Sequence, residues 1–479
     1  LLISPLLIFS PVGLKNLEIK PKTDGVILLS FTLIALIVHV FSVRGFIAPI
    51  LHDPIAHSTW AKQIYETGLI NYFYSPGLHI LSALGMMTDG VNVSKYVLII
   101  TNIFNALIFI PVYLFVRSYF KDKKFALLSA IFFLVAKYPS AFFWRMGKNA
   151  LVLGIGFMFL IFFVSTLKMS KLKKLFIVNS LTLVLILIHY PTAFISIIGL
   201  FFLLIFQKGS WKNLMHIIPG VAFGVLWGIM KMRYQIANME ERVSNFSNLS
   251  VSSEKLTLFL KDFYTQIANG EFFSFPFGEY LVAFGFLGLS IMLIISIKKK
   301  KYLWFLMIPI MNVPFMFLIE FIDQLNPLHI VYKTQILVFF VFLYIGCAFL
   351  FTKVVLPHIV NIIPKCSWVF YVLIGVLVIF SGYKKYYKIR DMQIEHNMVS
   401  SEDIKVFNWM QENINEEHVS ILINAVRGEG SRDYIIYAGD AGAWIPVFTN
   451  LEVAMPFTDF ASKKTHYNYG IYETFINEE

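Results

Sequence analysis

The chain has 479 residues, 57% of them hydrophobic and only 14% charged, with a mean hydropathy of +0.70. No water-soluble protein of this size covers so much apolar surface with so few charges, so soluble domains are excluded and a polytopic membrane protein is expected. The net charge of +11 would suggest nucleic acid in a soluble chain. Here the basic residues sit in short clusters between apolar runs, the pattern that retains loops in the cytoplasm, and no nucleic acid is expected.

A span needs roughly 17–25 mostly apolar residues, and about eleven segments qualify. In chain order they are 25–43, 96–117, 125–143, 149–166, 175–189, 191–206, 215–232, 280–297, 302–321, 334–352 and 368–383. Leu1–Phe9 is too short to span alone and lacks a cleavable signal's layout, and a chain opening at Leu1 rather than Met leads us to expect a few preceding residues. Lys15/Lys20/Lys22, Arg117/Lys121/Lys123/Lys124, Lys168–Lys174, Lys208/Lys212, Lys298–Lys301 and Lys353/Lys365 all fall on one side under this count. That places the N-terminus in the cytoplasm and the C-terminus outside. Cys347 and Cys366, the two cysteines, form neither a disulfide framework nor a thiolate metal site.

Three stretches then face outward: 44–95 after the first span, 233–279, and the tail 384–479. The tail turns soluble in composition and reads as a small α/β domain. Ser400 with Asp403 opens a helix, on which Ile404, Phe407, Met410 and Ile414 recur at helical spacing. Val419–Asn424 and Tyr434–Ala438 read as strands, and Gly439–Gly442 as a turn. The fold class expected is therefore an all-α polytopic membrane domain, 1–383, with a small extracytoplasmic α/β domain, 384–479.

The first outer loop carries the chemistry. It reads His52-Asp53-Pro54-Ile55-Ala56-His57-Ser58-Thr59-Trp60-Ala61-Lys62, and later Tyr74-Ser75-Pro76-Gly77-Leu78-His79. Pro54 suits the first turn of a helix that Asp53 caps, and Asp53 and His57 then share a face as i and i+4. Locally this fits a capped polar interfacial helix as well as it fits a general base held at the membrane surface, with His57 orienting it or binding substrate. His79, just past the Pro-Gly turn, reads as packing rather than as a ligand.

An Asp soon after the first long span, a His at helical spacing and a Tyr74-Ser75-Pro76-Gly77 turn together resemble the GT-C superfamily of polytopic glycosyltransferases. Ser75 departs from the Tyr-Pro-Pro-Gly form of that turn. The tail stretches Ser401–Asn413 and Asp440–Pro446 look like those of prokaryotic members, the protein mannosyltransferase and aminoarabinose transferase kind. The resemblance implies an inverting enzyme that moves a sugar from a polyprenyl-phosphate donor to a lipid, glycan or protein acceptor on the outer face of the cell membrane. Asp53 matches the family's catalytic Asp. The leaving lipid phosphate needs positive charge to receive it. Candidates are Arg145 and Lys148 in the second outer turn, and Lys333 with His329 and Tyr332 before the tenth span. His189, in His189-Tyr190-Pro191-Thr192, is a further substrate-binding candidate; a helix-end histidine is also an ordinary cap. Glu320 and Asp323 close the ninth span at its outer end, where both fit simple hydration.

The second outer turn, Tyr138 to Lys148, has no acid, and the tail lacks the Trp-Trp-Asp motif of the metal-dependent oligosaccharyltransferase branch, so no metal or other cofactor is expected. Two other classes stay open. A flippase or transporter of a lipid-linked glycan predicts broken or charged helices at mid-membrane. An O-antigen polymerase or ligase-like enzyme predicts functional residues in a large late outer loop, here 233–279.

Overall fold

The computed structural model describes residues 21–49, 53–68, 75–89, 93–135, 146–206, 218–237, 278–299, 303, 305–311, 329–362, 399–414, 420–421, 425–427, 436–438, 444–449 and 451–453, with single positions between 372 and 394. These residues are mostly helical. In chain order the membrane part contains α1 (Pro21–Ser42), α2 (Asp53–Thr67), α3 (Gly77–Asp89), α4 (Val93–Leu107), α5 (Phe109–Phe120), α6 (Lys123–Val135), α7 (Met146–Thr166), α8 (Lys171–Phe206), α9 (Ile218–Ala237), α10 (Gly278–Lys299) and α11 (His329–Leu350). A π-turn, Phe351–Val355, joins α11 to α12 (Leu356–Ile362).

Among the described residues three helical stretches are long and apolar enough to cross a membrane: Val93–Phe120, Lys171–Phe202 and Val338–Asn361. Leu28–Ser42, Gly77–Thr88, Ala150–Thr166 and Val282–Lys298 are shorter apolar helices. Two of the expected spans differ from the sequence reading. The expected span 96–117 begins at Val93 and is interrupted between α4 and α5. The span expected to stop at 352 runs on to Ile362, past Lys353, because the π-turn keeps the backbone helical. The expected pair 175–189 and 191–206 stands as the two halves of α8, which meet at His189, whose backbone is extended.

That single break has a local cause. The backbone N–H of Thr192 donates to His189 Nδ1 at 3.4 Å, so His189 caps the second half of α8. Pro191 then lies in a first turn, where its missing N–H costs nothing.

The bundle core is aromatic. Phe305 packs edge-on to Phe120 at 5.4 Å, tilted on Phe342 at 5.0 Å and stacked on Phe115 at 5.9 Å between ring centroids. α10 and α11 approach until backbone meets backbone: a Cβ at Gly288 would fall on the carbonyl of Gly346, so only glycine fits there.

In the tail, α13 (Ser401–Asn413) opens with the capping box read from Ser400 and Asp403: Ser400 Oγ accepts from the Asp403 N–H at 3.2 Å, and the Asp403 carboxylate accepts from the Ser400 N–H at 2.8 Å. Phe407 is buried from this helix as expected. The strands are shorter than read. β1 (Ser420–Ile421) pairs parallel with β4 (Glu452–Val453), and β2 (Ala425–Arg427) antiparallel with β3 (Ile436–Ala438). A short helix, α14 (Ile445–Phe448), follows β3. The expected turn at Gly439–Gly442 lies outside the described residues, as do the outer loop 238–277, Lys137, Glu320 and Asp323.

Candidate functional site

Asp53 is the first residue of α2 and Pro54 the second, as the helix-start pattern requires; the carboxylate of Asp53 lies outside the described residues. One turn later His57 points inward and is 3% exposed. Its Nδ1 lies 2.6 Å from Nε2 of His79, the third residue of α3, itself 2% exposed. The two imidazoles stack at 4.9 Å, and Trp60 sets its ring edge-on to both, at 5.2 Å and 5.5 Å. One nitrogen of this contact must donate and the other accept, so the two rings cannot both be imidazolium. Burial pushes His57 down to about 3. It lowers His79 well below its ordinary value too, and the neighbouring His57 adds to that. The pair is a neutral tie between α2 and α3.

The Ser75-Pro76-Gly77 turn is buried against the end of the first half of α8. A Cβ at Gly77 would lie 2.8 Å from the Ile188 side chain and 2.9 Å from the Leu187 carbonyl, so a larger residue would push α3 away. His189 follows directly. Its Nδ1 lies 2.7 Å from the Thr192 hydroxyl and also takes the Thr192 N–H, so as a neutral ring it carries its proton on Nε2.

One buried apolar cluster gathers these pieces. It contains Ile55 from α2, Leu78 from α3, Val93 and Val97 from α4, Ala150 and Leu153 from α7, and Ile188 from α8. Ile55 is two residues after Asp53, Leu78 adjoins His79, Ala150 is two residues after Lys148, and Ile188 adjoins His189. The same cluster contains Phe407, Trp444, Ile445, Val447 and Leu451 from the tail. The tail thus packs on the loop 44–95. Lys62 of α2, its side chain 13% exposed, donates to the carbonyl of Pro446 at 3.0 Å and to that of Thr449.

Not every predicted residue joins this gathering. Lys148 is the third residue of α7, and His329, Tyr332 and Lys333 lie in the first turns of α11; their side chains are outside the described residues, and Arg145 is wholly so. The described core contacts of α11 begin at Val338, in the aromatic bundle rather than in this cluster. Among the described residues no three His, Cys, Asp or Glu side chains gather as metal ligands; His52 is outside that set.

Sequence reasoning missed the His57–His79 pairing and the role of Lys62. Twenty-two residues separate the histidines, across a turn, and no periodicity spans that gap. Lys62 did leave a signal: it stands seven residues after Ile55 and four after Ser58, on the buried stripe of α2.

No protein-family model and no curated protein sequence matches the chain. Solved structures do. ArnT from Cupriavidus metallidurans in the apo state aligns over 95% of this chain and 89% of its own, with a TM-score of 0.56 and 12% identity. The same protein bound to undecaprenyl phosphate gives 0.53 at 12% identity over 94% and 88%. The archaeal oligosaccharyltransferase AglB from Archaeoglobus fulgidus, in complex with an inhibitory peptide and a dolichol-phosphate, aligns over 90% of this chain with a TM-score of 0.50 and 14% identity. The chain spans 64% of that oligosaccharyltransferase's length. At such identities the likeness establishes the fold.

Proposed function

On a chain that has the fold of GT-C membrane glycosyltransferases, we propose an inverting transfer of a sugar from a polyprenyl-phosphate donor to a hydroxyl of a lipid, glycan or protein acceptor. The observation that carries it is the apolar cluster that draws the head of α2, the Ser75-Pro76-Gly77 turn, the start of α7 and the break in α8 to one end of the bundle. In this reading about eleven spans carry the site, as the span lengths require. It faces outside the cytoplasm, and residues 384–479 form an outer α/β domain packed over it.

The chemistry needs few parts. The Asp53 carboxylate takes the proton of the acceptor hydroxyl while that oxygen bonds to the anomeric carbon and the bond to the phosphate oxygen breaks. The electron pair leaves with the lipid phosphate, already a good leaving group, so no strong general acid is required. Arg145, Lys148 and Lys333, with His189, His329 and Tyr332, are assigned to the departing phosphate; an arginine can bind two of its oxygens at once. His57 supports Asp53 from one turn away. No metal enters the scheme.

Purified protein given a polyprenyl-phosphate sugar and an acceptor is expected to release free polyprenyl phosphate and a product of inverted anomeric configuration. No release, or a retained configuration, would contradict the proposal. A glycan flippase would instead move donor across a vesicle membrane without cleaving it.

A further inference from the structure

Lys62 is not among the residues assigned to substrate, yet it is the most constrained cation described in the first loop. Burying an ammonium is costly unless its hydrogen bonds are replaced. Here they are replaced by the carbonyls of Pro446, in the first turn of α14, and of Thr449, which follows its last residue, with the Glu66 carboxylate 3.6 Å away. In a helix of one turn these carbonyls are left without a partner in the helix and can accept from a cation. The receiving end is itself fixed: the Thr449 N–H and hydroxyl both bond to the Ile445 carbonyl, at 2.8 Å and 2.7 Å. Phe448 stacks on Phe407 of α13 at 5.5 Å.

A second tie holds the start of the same loop. Arg390, near the start of the tail, donates to the carbonyl of Arg44 at 3.5 Å and lies 5.9 Å from the Phe46 ring centroid. The segment between these ties includes Asp53, and α2 connects Asp53 rigidly to Lys62, nine residues or about 13 Å away along the axis. An apolar residue would fill the Lys62 position more cheaply. What the ammonium adds is a directional bond that fixes the rotation and tilt of α2 on the tail.

We propose that Lys62 is a positioning residue: through its bonds to Pro446 and Thr449 it uses the tail to set the place of Asp53. This rests on the reading of Asp53 as the base. A displacement of the order of 1 Å at a reacting group costs up to about 100-fold in rate, so Lys62→Met is expected to lower kcat roughly 10- to 100-fold. The donor KM should stay within about twofold, because a misplaced base loses transition-state and not ground-state interactions.

The test is a double-mutant cycle on the purified full chain, measuring kcat, donor KM and thermal unfolding for Lys62→Met, Lys62→Arg, Asp53→Asn and the pair Lys62→Met with Asp53→Asn. Lys62→Arg reaches the same carbonyls and should keep most of kcat. Where Asp53 is already disabled, Lys62→Met should cost nothing further. If Lys62→Met proves too unstable to purify, Lys62→Gln, which keeps an amide donor, takes its place in the cycle. Wild-type kcat in Lys62→Met, additive losses in the double mutant, or a loss that Lys62→Arg does not restore would each overturn the inference. An Asp53→Asn protein as active as wild type would instead sink the base assignment; an inactive one beside a normal Lys62→Met sinks the positioning role alone.

Discussion

At the end of the bundle that holds Asp122 and Lys353, helices are joined by single polar contacts near the surface. Lys353 of the π-turn meets the Asp122 carboxylate, Ser118 meets Thr166 at 2.7 Å, and Lys174 donates to the Ser165 carbonyl at 3.1 Å. At the opposite end, two stacked imidazoles and an ammonium stand on α2 and α3, close in sequence to members of an apolar cluster that the tail shares. The first end ties helix to helix, over as many as 231 residues between Asp122 and Lys353. The second brings Lys62 onto Thr449, 387 residues away, which is the arrangement needed where a charged group must be held in one place. What differs is the element that is tied: helix to helix at the first end, loop to tail at the second.

The largest expected effect lies between the two ends and should leave both intact. Phe305→Ala removes a ring shared with Phe115, Phe120 and Phe342 and should cost about 3–5 kcal/mol in thermal or denaturant unfolding. The kcat of the folded fraction should be unchanged. Gly288→Ala forces a methyl onto the Gly346 carbonyl and should cost about 1–3 kcal/mol, read the same way. If either change abolishes transfer in fully folded protein, the site is not confined to the loop and tail end.

Acid should distinguish the ends. His57 is held at about 3 when folded and regains its ordinary value of 6.5 when unfolded, so the unfolded chain binds the extra proton. Stability from the neutral pair is full above about pH 6.5 and falls as pH drops towards 3. From pH 7 to pH 5 the loss should be about 1–2 kcal/mol, and His57→Asn should flatten that slope. Asp122 moves the same way, but in a more acid range. Burial alone would raise its carboxyl, but the Lys353 bond and the Phe125 and Lys124 N–H groups outweigh it and lower it. Its contribution is therefore present above the ordinary carboxylate range and lost only in stronger acid. As a partly exposed pair it should be worth at most about 1 kcal/mol, so Asp122→Asn is the smallest change predicted.

Much of the bundle was legible because hydropathy and length act locally: α1, α7, α9 and α10 begin and end near the residues where the apolar runs do. The break at His189-Tyr190-Pro191 was legible too, although one extended residue sufficed to make it. So was the α13 cap, which depends on two residues three apart. The packing of the tail on the first loop was not legible. Trp444, Ile445 and Val447 are apolar in a tail that reads as soluble, and their partners Ile55 and Ala61 sit in a segment of ordinary polarity. Nothing in either segment specifies the other, since the contact depends on shape after folding. The His57–His79 tie escaped for the same reason, while Asp53 stood out through its place after the first span and the Pro54 and His57 that follow it.

That place is also where the account is most exposed. Asp53→Asn keeps the size and capping oxygen of the side chain and removes its basicity, whereas Asp53→Ala would add a lost cap worth about 1 kcal/mol. Purified Asp53→Asn should unfold at the wild-type temperature and bind the lipid-linked donor normally, yet transfer sugar about 100- to 10,000-fold more slowly. Near wild-type transfer by that protein would contradict the account and reduce Asp53 to a helix cap.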